Sequence, residues 1–334
     1  MEEFPEPMRM LQLILAGIIL FLLLFGIFII AFPDIAFNEP HVTIGNTTPV
    51  TPPAQVSRSW SFNNRSASVA ITIDSSVYAA SKRTYRSTFL IGDQKRIGTR
   101  YYRAMINDPT QDRIYTDLLR QFRTIRADQS LSDDEYLEMM AAFVQTIPYR
   151  DGGNAPPKYP AELLVENSGD CDDKAILLAG LLAREDYSVV LFKFGPESHM
   201  TLGIGSDAFP YKSTGYTYLE SMTPAYVGMP SFFLTRSLDS DPLVLPIHNG
   251  TKVYRHGNET ELISREYARS AAEADLLSRQ REEFPAAERD SPAYHTHMER
   301  LNRDLAIHSY IMSHPLDRPG TIAFLTQGLP AVMQ

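Results

Sequence analysis

The chain has 334 residues, of which 44% are hydrophobic and 21% are charged. These shares are typical of globular proteins, and 18 glycines and 23 prolines are an ordinary number, so the composition excludes a disordered or collagen-like chain. The net charge is −9 and the Lys and Arg residues do not cluster, which argues against a nucleic-acid partner. The single cysteine, Cys171, excludes a disulfide framework and any zinc site built from several thiolates.

A long apolar segment, residues 11–32, lies near the N-terminus and contains one polar residue, Gln12. As a helix it would measure about 33 Å, which is enough to cross the hydrocarbon core of a bilayer. The sequence therefore predicts a transmembrane helix, with the lipid bilayer as its partner. A cleaved signal peptide is the alternative, and it is disfavoured because the segment is long and no small-residue cleavage site with a basic region frames it.

The predicted orientation places the N-terminus in the cytoplasm and the main domain outside it. Arg9 is the only Lys or Arg before the apolar segment and none follows until Arg58, so the positive-inside rule favours this topology. Asn-X-Ser/Thr triplets, which are acceptors for glycans outside the cytoplasm, agree with it. They begin at Asn46, Asn64, Asn249 and Asn258.

Composition and patterning divide the chain into six regions. They are a cytoplasmic tail (1–10), a transmembrane helix (11–32), a Pro/Thr-rich spacer (33–57), a strand-plus-helix region (58–128), a core (129–235) and a helical C-terminal region (236–334). The spacer has few large apolar side chains, so it is predicted to be extended and to hold the next region away from the membrane.

Hydrophobic periodicity predicts the main elements of these regions. Residues 69–73 alternate between branched apolar and small polar side chains, which is typical of a half-buried strand. Residues 114–125 and 294–312 carry apolar side chains at steps of three and four, which predicts amphipathic helices. Another helix is predicted from the capping box Ser132-x-x-Glu135 to the residue before Pro148.

The histidines and carboxylates form no pattern typical of a metal site. His308 lies on the apolar face of the predicted helix 294–312, so we interpret it as a packed histidine. His295 and His297 are two residues apart and would point to different sides of that helix. No dense group of Asp and Asn residues typical of a calcium loop is present. The sequence therefore predicts neither a metal nor a cofactor.

Cys171 stands at the start of a predicted helix within the segment 168–174, whose sequence is Ser-Gly-Asp-Cys-Asp-Asp-Lys. The residues that follow are apolar on nearly every side, as expected for a helix at the centre of a domain. In the first turn the helix dipole favours the thiolate, whereas the carboxylates of Asp170, Asp172 and Asp173 disfavour it. A nucleophilic Cys171 therefore needs a cationic neighbour.

Two predicted strands after this helix provide a candidate for that neighbour. His199 begins the first, on the face opposite to its apolar residues, and Glu220 ends the second. If the strands pair antiparallel with residue 204 opposite residue 215, His199 lies directly opposite Glu220. The glutamate would then orient the imidazole, which gives a nucleophile, a base and an acid in Cys171, His199 and Glu220.

Each of these residues also has a structural interpretation. A lone cysteine is often a small buried hydrophobic residue, a histidine at the start of a strand is often structural, and Glu220 would suit an exposed strand position. The combination favours function, because a free thiol in an exported chain is liable to oxidation unless it has a role.

Residues 135–230 resemble the transglutaminase-like superfamily, a papain-like group in which a cysteine-headed helix packs on an antiparallel sheet. The resemblance implies an α+β fold with a papain-like core, Cys171 as nucleophile, His199 as general base and Glu220 as the third member, where many members carry aspartate. It is carried by Ser-Gly-Asp-Cys-Asp-Asp at 168–173, His-Met-Thr-Leu-Gly at 199–203 and Tyr-Thr-Tyr-Leu-Glu-Ser at 216–221.

The predicted function is that of a membrane-anchored, extracytoplasmic cysteine enzyme that acts on amide bonds of a peptide or protein through a thioacyl intermediate. Hydrolysis of a peptide or isopeptide bond is expected first, and acyl transfer to an amine is the other outcome. The backbone N–H of Cys171 would suit the oxyanion, whereas Gln145 has suitable chemistry but is expected to pack within its helix.

Two alternatives to this function remain. The first is a non-catalytic ectodomain of the same fold that serves as a binding or envelope-scaffold module, with the C-terminal helices as its partner surface. The second is a soluble enzyme with a cleaved leader, which the uninterrupted apolar segment disfavours.

Overall fold

The computed structural model describes a mixed α+β chain with two antiparallel sheets and one apolar N-terminal helix, which confirms the predicted class at this level. The described residues are 6–31, 39–45, 52–86, 93–153, 155–232, 234 and 237–327.

The apolar segment forms the helix α1, Glu6–Ala31. Its central part, Met10–Phe28, has a mean hydropathy of 2.8 and is not buried against the rest of the described chain. The helix is therefore long and apolar enough to cross a membrane, although a signal sequence near the N-terminus has the same properties.

The first sheet is a hairpin of β1, Ala54–Phe62, and β2, Arg65–Ile73. The two turn residues, Asn63 and Asn64, have φ angles of 45° and 55°, which matches the left-handed geometry of a two-residue hairpin turn. The predicted alternation in residues 69–73 is confirmed, because the odd-numbered side chains are buried and the even-numbered ones are exposed.

The second sheet has four antiparallel strands in the order β5-β4-β3-β6. The strands are β3, Val189–Phe194, β4, His199–Gly205, β5, Tyr216–Leu219, and β6, Leu243–His248. The edge strand β6 contains Pro246, whose missing N–H is tolerated at an edge. This strand belongs to the predicted C-terminal region, so the sheet continues beyond the predicted boundary at residue 235.

The predicted pairing of residue 204 with residue 215 is wrong by two residues. Ile204 pairs with Thr217 and Leu202 with Leu219. The connecting loop folds back on β5, where the Thr217 hydroxyl donates hydrogen bonds of 2.9 Å to the carbonyls of Ala208 and Phe209. The strand itself begins at Tyr216, as predicted, and only its pairing with β4 differs. A shift of two residues keeps every side chain on its predicted face, but it moves the backbone of Glu220 out of direct opposition to His199.

Nine further helices surround the sheets among the described residues. Their bounds are α2 Ser75–Arg83, α3 Gln94–Ile106, α4 Asp112–Asp128, α5 Asp133–Gln145, α6 Pro160–Glu166, α7 Cys171–Arg184, α8 Gly257–Glu283, α9 Pro292–Ser313 and α10 Arg318–Gln327. The predicted capping box is confirmed at the start of α5, where the Ser132 hydroxyl and the Glu135 carboxylate each accept the other residue's backbone N–H.

Helix α7 occupies the centre of the molecule, as its apolar sequence predicts. Its residues from Ala175 to Leu182 are all buried, between the sheet on one side and the helices α3 to α6 on the other. Gly180 allows a close approach to α4, because a Cβ atom there would lie 2.1 Å from the Tyr115 hydroxyl oxygen. The face of the sheet that packs on α7 carries Leu191, Met200 and Leu202 in the main core.

Part of the predicted spacer is packed against the domain. The Val42 side chain is 1% exposed, and its backbone N–H donates a hydrogen bond of 2.7 Å to the buried Asp108 carboxylate. Glu39 also pairs with Arg100 on α3 at 2.8 Å. Residues 39–45 are therefore attached to the domain rather than extended away from it.

The C-terminal helices α8 and α9 pack against each other. The His308 ring stacks on Tyr267 with its centroid at 4.6 Å, in agreement with the predicted packed position. The ring nitrogen Nε2 of His297 lies 2.8 Å from the carbonyl oxygen of Leu277. Of the glycan-acceptor residues, Asn249 and Asn258 are exposed, the Asn64 amide donates to Asp317, and Asn46 lies outside the described residues.

Candidate active site

A groove of about 860 Å³ lies where the first turn of α7 meets the start of β4. Cys171 and His199 both line it, so two of the three predicted site residues face the same space. Other side chains that line the groove are Tyr149, Asp151, Lys193, Glu197, Met222 and Leu234.

The first turn of α7 is held by a capping box. Asp170 is the N-cap residue, and its carboxylate accepts the backbone N–H of Asp173 at 3.2 Å. The Asp173 carboxylate accepts the backbone N–H of Asp170 at 3.1 Å in return. Gly169 precedes the cap because a Cβ atom there would lie 2.6 Å from side-chain atoms of Leu163 and Asp173. These contacts fix Cys171 as the first residue of the helix.

The sulfur of Cys171 contacts a carboxylate rather than the imidazole of His199. It is partly buried and donates to Asp172 Oδ1 at 3.4 Å. Burial raises the pKa of the Cys171 thiol, the Asp172 carboxylate raises it further, and the backbone N–H of Met200 acts in the opposite direction. Within the described residues, no hydrogen bond joins the sulfur to the His199 ring.

His199 is connected to the predicted acid by one of its two ring nitrogens. Nε2 lies 3.6 Å from Glu220 Oε2 and 3.2 Å from the Tyr218 hydroxyl, which itself donates to Glu220 Oε2 at 2.8 Å. The imidazole also stacks on Phe194 with the ring centroids 6.1 Å apart. Glu220 and Tyr218 therefore both contact Nε2 of His199. The other ring nitrogen, Nδ1, makes no hydrogen bond within the described part of the chain.

Glu220 is fully buried, which contradicts its interpretation as an exposed strand carboxylate. Its Oε1 atom accepts the backbone N–H groups of Ser221 and Met222, each at 2.9 Å. Burial acts to raise the pKa of Glu220, but the contacts with His199, Met222 and Tyr218 outweigh it and lower the pKa. The lowered pKa favours the ionised form of Glu220, which can pair with the imidazole. The Glu220 side chain thus reaches the His199 ring despite the shifted register.

Tyr218 is a member of this group that the sequence analysis missed. Its ring is fully buried, and burial raises the pKa of its phenol well above the ordinary value, so the hydroxyl stays a donor. A signal was available in the sequence. Tyr218 precedes Glu220 by two residues in a strand, and side chains at that spacing lie on the same face of a sheet.

Lys174 is a second residue that the sequence analysis missed. It lies one turn after Cys171, is fully buried, and donates hydrogen bonds to the carbonyls of Gln145, Ile147 and Met222. Burial lowers the pKa of Lys174 to about 7. Its side chain therefore joins the end of α5 and the segment after β5 to the start of α7. A lysine directly before the wholly apolar run 175–183 was the available signal.

Gln145 faces away from the groove. Its side-chain amide donates to the carbonyls of Glu220 and Ala225, at 2.9 and 3.2 Å, and its oxygen accepts the Ala225 backbone N–H at 3.4 Å. It therefore joins α5 to the segment that follows β5, which agrees with the expected packing role.

The groove thus combines a thiol with an imidazole that a buried carboxylate orients, which is a set of groups suited to nucleophilic chemistry. Among the residues described, no group of three or more His, Cys, Asp and Glu side chains is arranged to hold a metal ion. No protein-family model, curated protein or solved structure matches the chain.

Proposed function

We propose that the chain is a membrane-anchored, transglutaminase-like cysteine enzyme with a papain-like core that acts on amide bonds of a peptide or protein. The observation that carries the proposal is that Cys171 and His199 line one groove while Glu220 lies 3.6 Å behind the imidazole. Hydrolysis of a peptide or isopeptide bond is the reaction proposed first.

In the proposed reaction, His199 Nδ1 takes the proton of the Cys171 thiol and the sulfur attacks the amide carbonyl. Glu220 stabilises the resulting imidazolium through Nε2, and the Tyr218 hydroxyl helps to orient the ring. The backbone N–H of Cys171 at the start of α7 is suited to the developing oxyanion. The imidazolium then protonates the leaving amine, and a thioester remains on Cys171.

The second half of the proposed reaction regenerates the enzyme. His199 takes a proton from a water molecule, the hydroxide attacks the thioester carbonyl, and the thiolate leaves with the acid as product. The imidazolium returns its proton to the sulfur. An amine in place of the water would give acyl transfer by the same steps. The nucleophile must first exchange its hydrogen bond to Asp172 for one to the imidazole.

The membrane part of the proposal rests on α1. With Arg9 as the only Lys or Arg before the apolar segment, the N-terminus lies in the cytoplasm and the domain that contains the groove lies outside. The exposed glycan acceptors Asn249 and Asn258 support this orientation.

The test is to trap the thioacyl intermediate on the full-length chain in detergent. We expect mass spectrometry after acid quenching of a peptide-amide mixture to find an acyl adduct on Cys171 in the wild type and not in Cys171→Ala. His199→Ala should reduce the adduct at least about hundredfold, since it removes the general base. His248→Ala is the matched control, because His248 lies in the same sheet with its own carboxylate partner, Asp186 at 3.3 Å.

A second candidate function is a non-catalytic binding module of the same fold. It is favoured by the raised pKa of the Cys171 thiol and by its hydrogen bond to Asp172 in place of His199. Absence of any acyl adduct, together with equal thiol reactivity in the wild type and His199→Ala, would support this module and contradict the enzyme.

A further inference from the structure

Asp172 touches the proposed nucleophile and has no role in the reaction described above. Its Oδ1 atom accepts the Cys171 thiol at 3.4 Å, and its Oδ2 atom accepts the Tyr102 hydroxyl of α3 at 3.1 Å. Adjacent residues of a helix ordinarily point in different directions. Here the first turn of α7 brings the two side chains together at the wall of the groove.

The charged and titratable groups around Asp172 come from four parts of the chain. They are Asp170 and Cys171 at the start of α7, Tyr101 and Tyr102 on α3, Lys193 on β3 and Tyr149 in the segment after α5. Burial raises the pKa of Asp172 and the Asp170 carboxylate raises it further, whereas Cys171, Tyr102 and Lys193 act in the opposite direction with less effect. Protonation of this carboxylate is therefore easier than that of an ordinary aspartate.

We propose that Asp172 controls the nucleophile, retaining the thiol as a neutral donor while the carboxylate is ionised and releasing it to His199 when the carboxylate takes up a proton. The proton comes from the solvent. The thiol proton then passes to His199 Nδ1, and the neutral carboxyl group can donate a hydrogen bond to the thiolate. The release to His199 rests on the proposed function, whereas the restraint of the thiol does not.

The consequence concerns pH. Above the pKa of Asp172 the thiol is held by an anion, so thiolate formation is suppressed. Below that pKa the restraint is absent, and the imidazole of His199 can receive the proton. The proposal therefore predicts an enzyme that is more active on the acidic side of the Asp172 titration than on the basic side.

The experiment measures the rate at which iodoacetamide alkylates Cys171 in the full-length chain, between pH 5 and pH 9. Because the chain has one cysteine, total alkylation reports this site alone. We expect Asp172→Asn to be alkylated at least about tenfold faster than the wild type at pH 7, since one negative charge in contact with the sulfur is removed. Asp172→Glu keeps the charge and should stay close to the wild-type rate.

Asp170→Asn is the matched control. It removes a carboxylate from the same turn that makes no hydrogen bond to the sulfur, and asparagine is an equally good N-cap residue. We expect a smaller acceleration than in Asp172→Asn. Equal acceleration in the two variants would mean that any nearby negative charge has the same effect, and it would overturn the proposal. An unchanged alkylation rate in Asp172→Asn would overturn it as well.

Tyr102→Phe provides a second variant in case Asp172→Asn fails to fold. It removes the donor on Oδ2 without touching the sulfur, so Asp172 is protonated more easily and alkylation should accelerate in the same direction, by a smaller factor. An unchanged or slower rate in this variant contradicts the proposal.

A double variant separates this inference from the proposed function. If His199 receives the released proton, Asp172→Asn combined with His199→Ala should lose most of the acceleration. If the acceleration persists without His199 and no acyl adduct forms, the proposed enzyme fails while the restraint of the thiol by Asp172 stands.

Discussion

The two walls of the groove, one from the sheet and one from helix α7, shift the pKa of a buried carboxylate in opposite directions. On the sheet wall, where Tyr218 and Glu220 lie behind the groove-lining His199, the pKa of the Glu220 carboxylate is lowered. On the helix wall, where residues 170–172 line the groove, the pKa of Asp172 is raised, and that of the neighbouring Asp173 is raised to about 7. Burial raises the pKa on both walls, so burial alone does not explain the difference.

The number and charge of the hydrogen-bond donors account for it. Glu220 accepts two backbone N–H groups and the Tyr218 hydroxyl, and it lies beside an imidazole that can carry a positive charge. Asp172 accepts one hydroxyl and one thiol, both neutral, and faces the Asp170 carboxylate. The comparison shows that the surroundings of Glu220 favour its ionised form, whereas the surroundings of Asp172 favour its protonated form.

The largest loss of stability is expected from replacing Lys174, the buried lysine of α7. Lys174→Met should lower the free energy of unfolding by about 3–5 kcal/mol, because it leaves three buried carbonyls without a donor. Urea denaturation of the full-length chain in detergent measures it. Lys212→Met is the matched control, since Lys212 also donates to three carbonyls but is partly exposed, and it should cost less than about 1 kcal/mol.

A smaller loss of stability is expected when the negative charge of Glu220 is removed. Glu220→Gln should cost about 2 kcal/mol at pH 7. Because the pKa of Glu220 is lower in the folded protein, its ionised form contributes stability above the ordinary pKa of 4.5, and this contribution is lost as the pH falls through the folded value. The cost should therefore shrink in urea denaturation at pH 3. Glu261→Gln, at an exposed position of α8, should cost nothing at either pH.

The smallest effect is expected from the hydroxyl that connects the imidazole to the carboxylate. Tyr218→Phe should cost about 1 kcal/mol and should move the acid-induced loss of stability to higher pH, since Glu220 loses a donor. Tyr211→Phe is the control within the same aromatic cluster, because its hydroxyl donates to the Leu238 carbonyl instead. Equal pH profiles for the two variants would contradict the role given to Tyr218.

Elements with a local cause were predictable from the sequence. The alternation in β2 and the capping box of α5 depend on residues within a few positions of one another, and both predictions are confirmed. The helix predicted over 294–312 is also present as α9, although Leu305 of its predicted apolar face is exposed. The position of Cys171 at the start of α7 has a local cause as well, because the N-cap and the apolar run lie side by side in the sequence.

Features that depend on distant contacts were not predictable in this way. The register of β4 with β5 depends on how the loop after β4 folds back on Thr217. The fourth strand, β6, pairs with β3 across about fifty residues of chain. Val42 is buried in the core, and its backbone N–H donates to the distant Asp108. The contacts of Lys174 could not be predicted either, because its carbonyl partners come from other segments of the chain.

The packing of residues 39–45 limits how far the domain that contains the groove can lie from α1. Only residues 32–38 connect the end of α1 at Ala31 to Glu39, and a chain of that length reaches at most about 29 Å when fully stretched. A domain of this size is about 50 Å across. If α1 spans a bilayer, the segment 32–38 that connects it to the domain is shorter than the domain is wide. The groove then lies within about 80 Å of the lipid surface, the combined length of the connecting segment and the domain, so under the proposed function it can reach substrates that are attached to that surface.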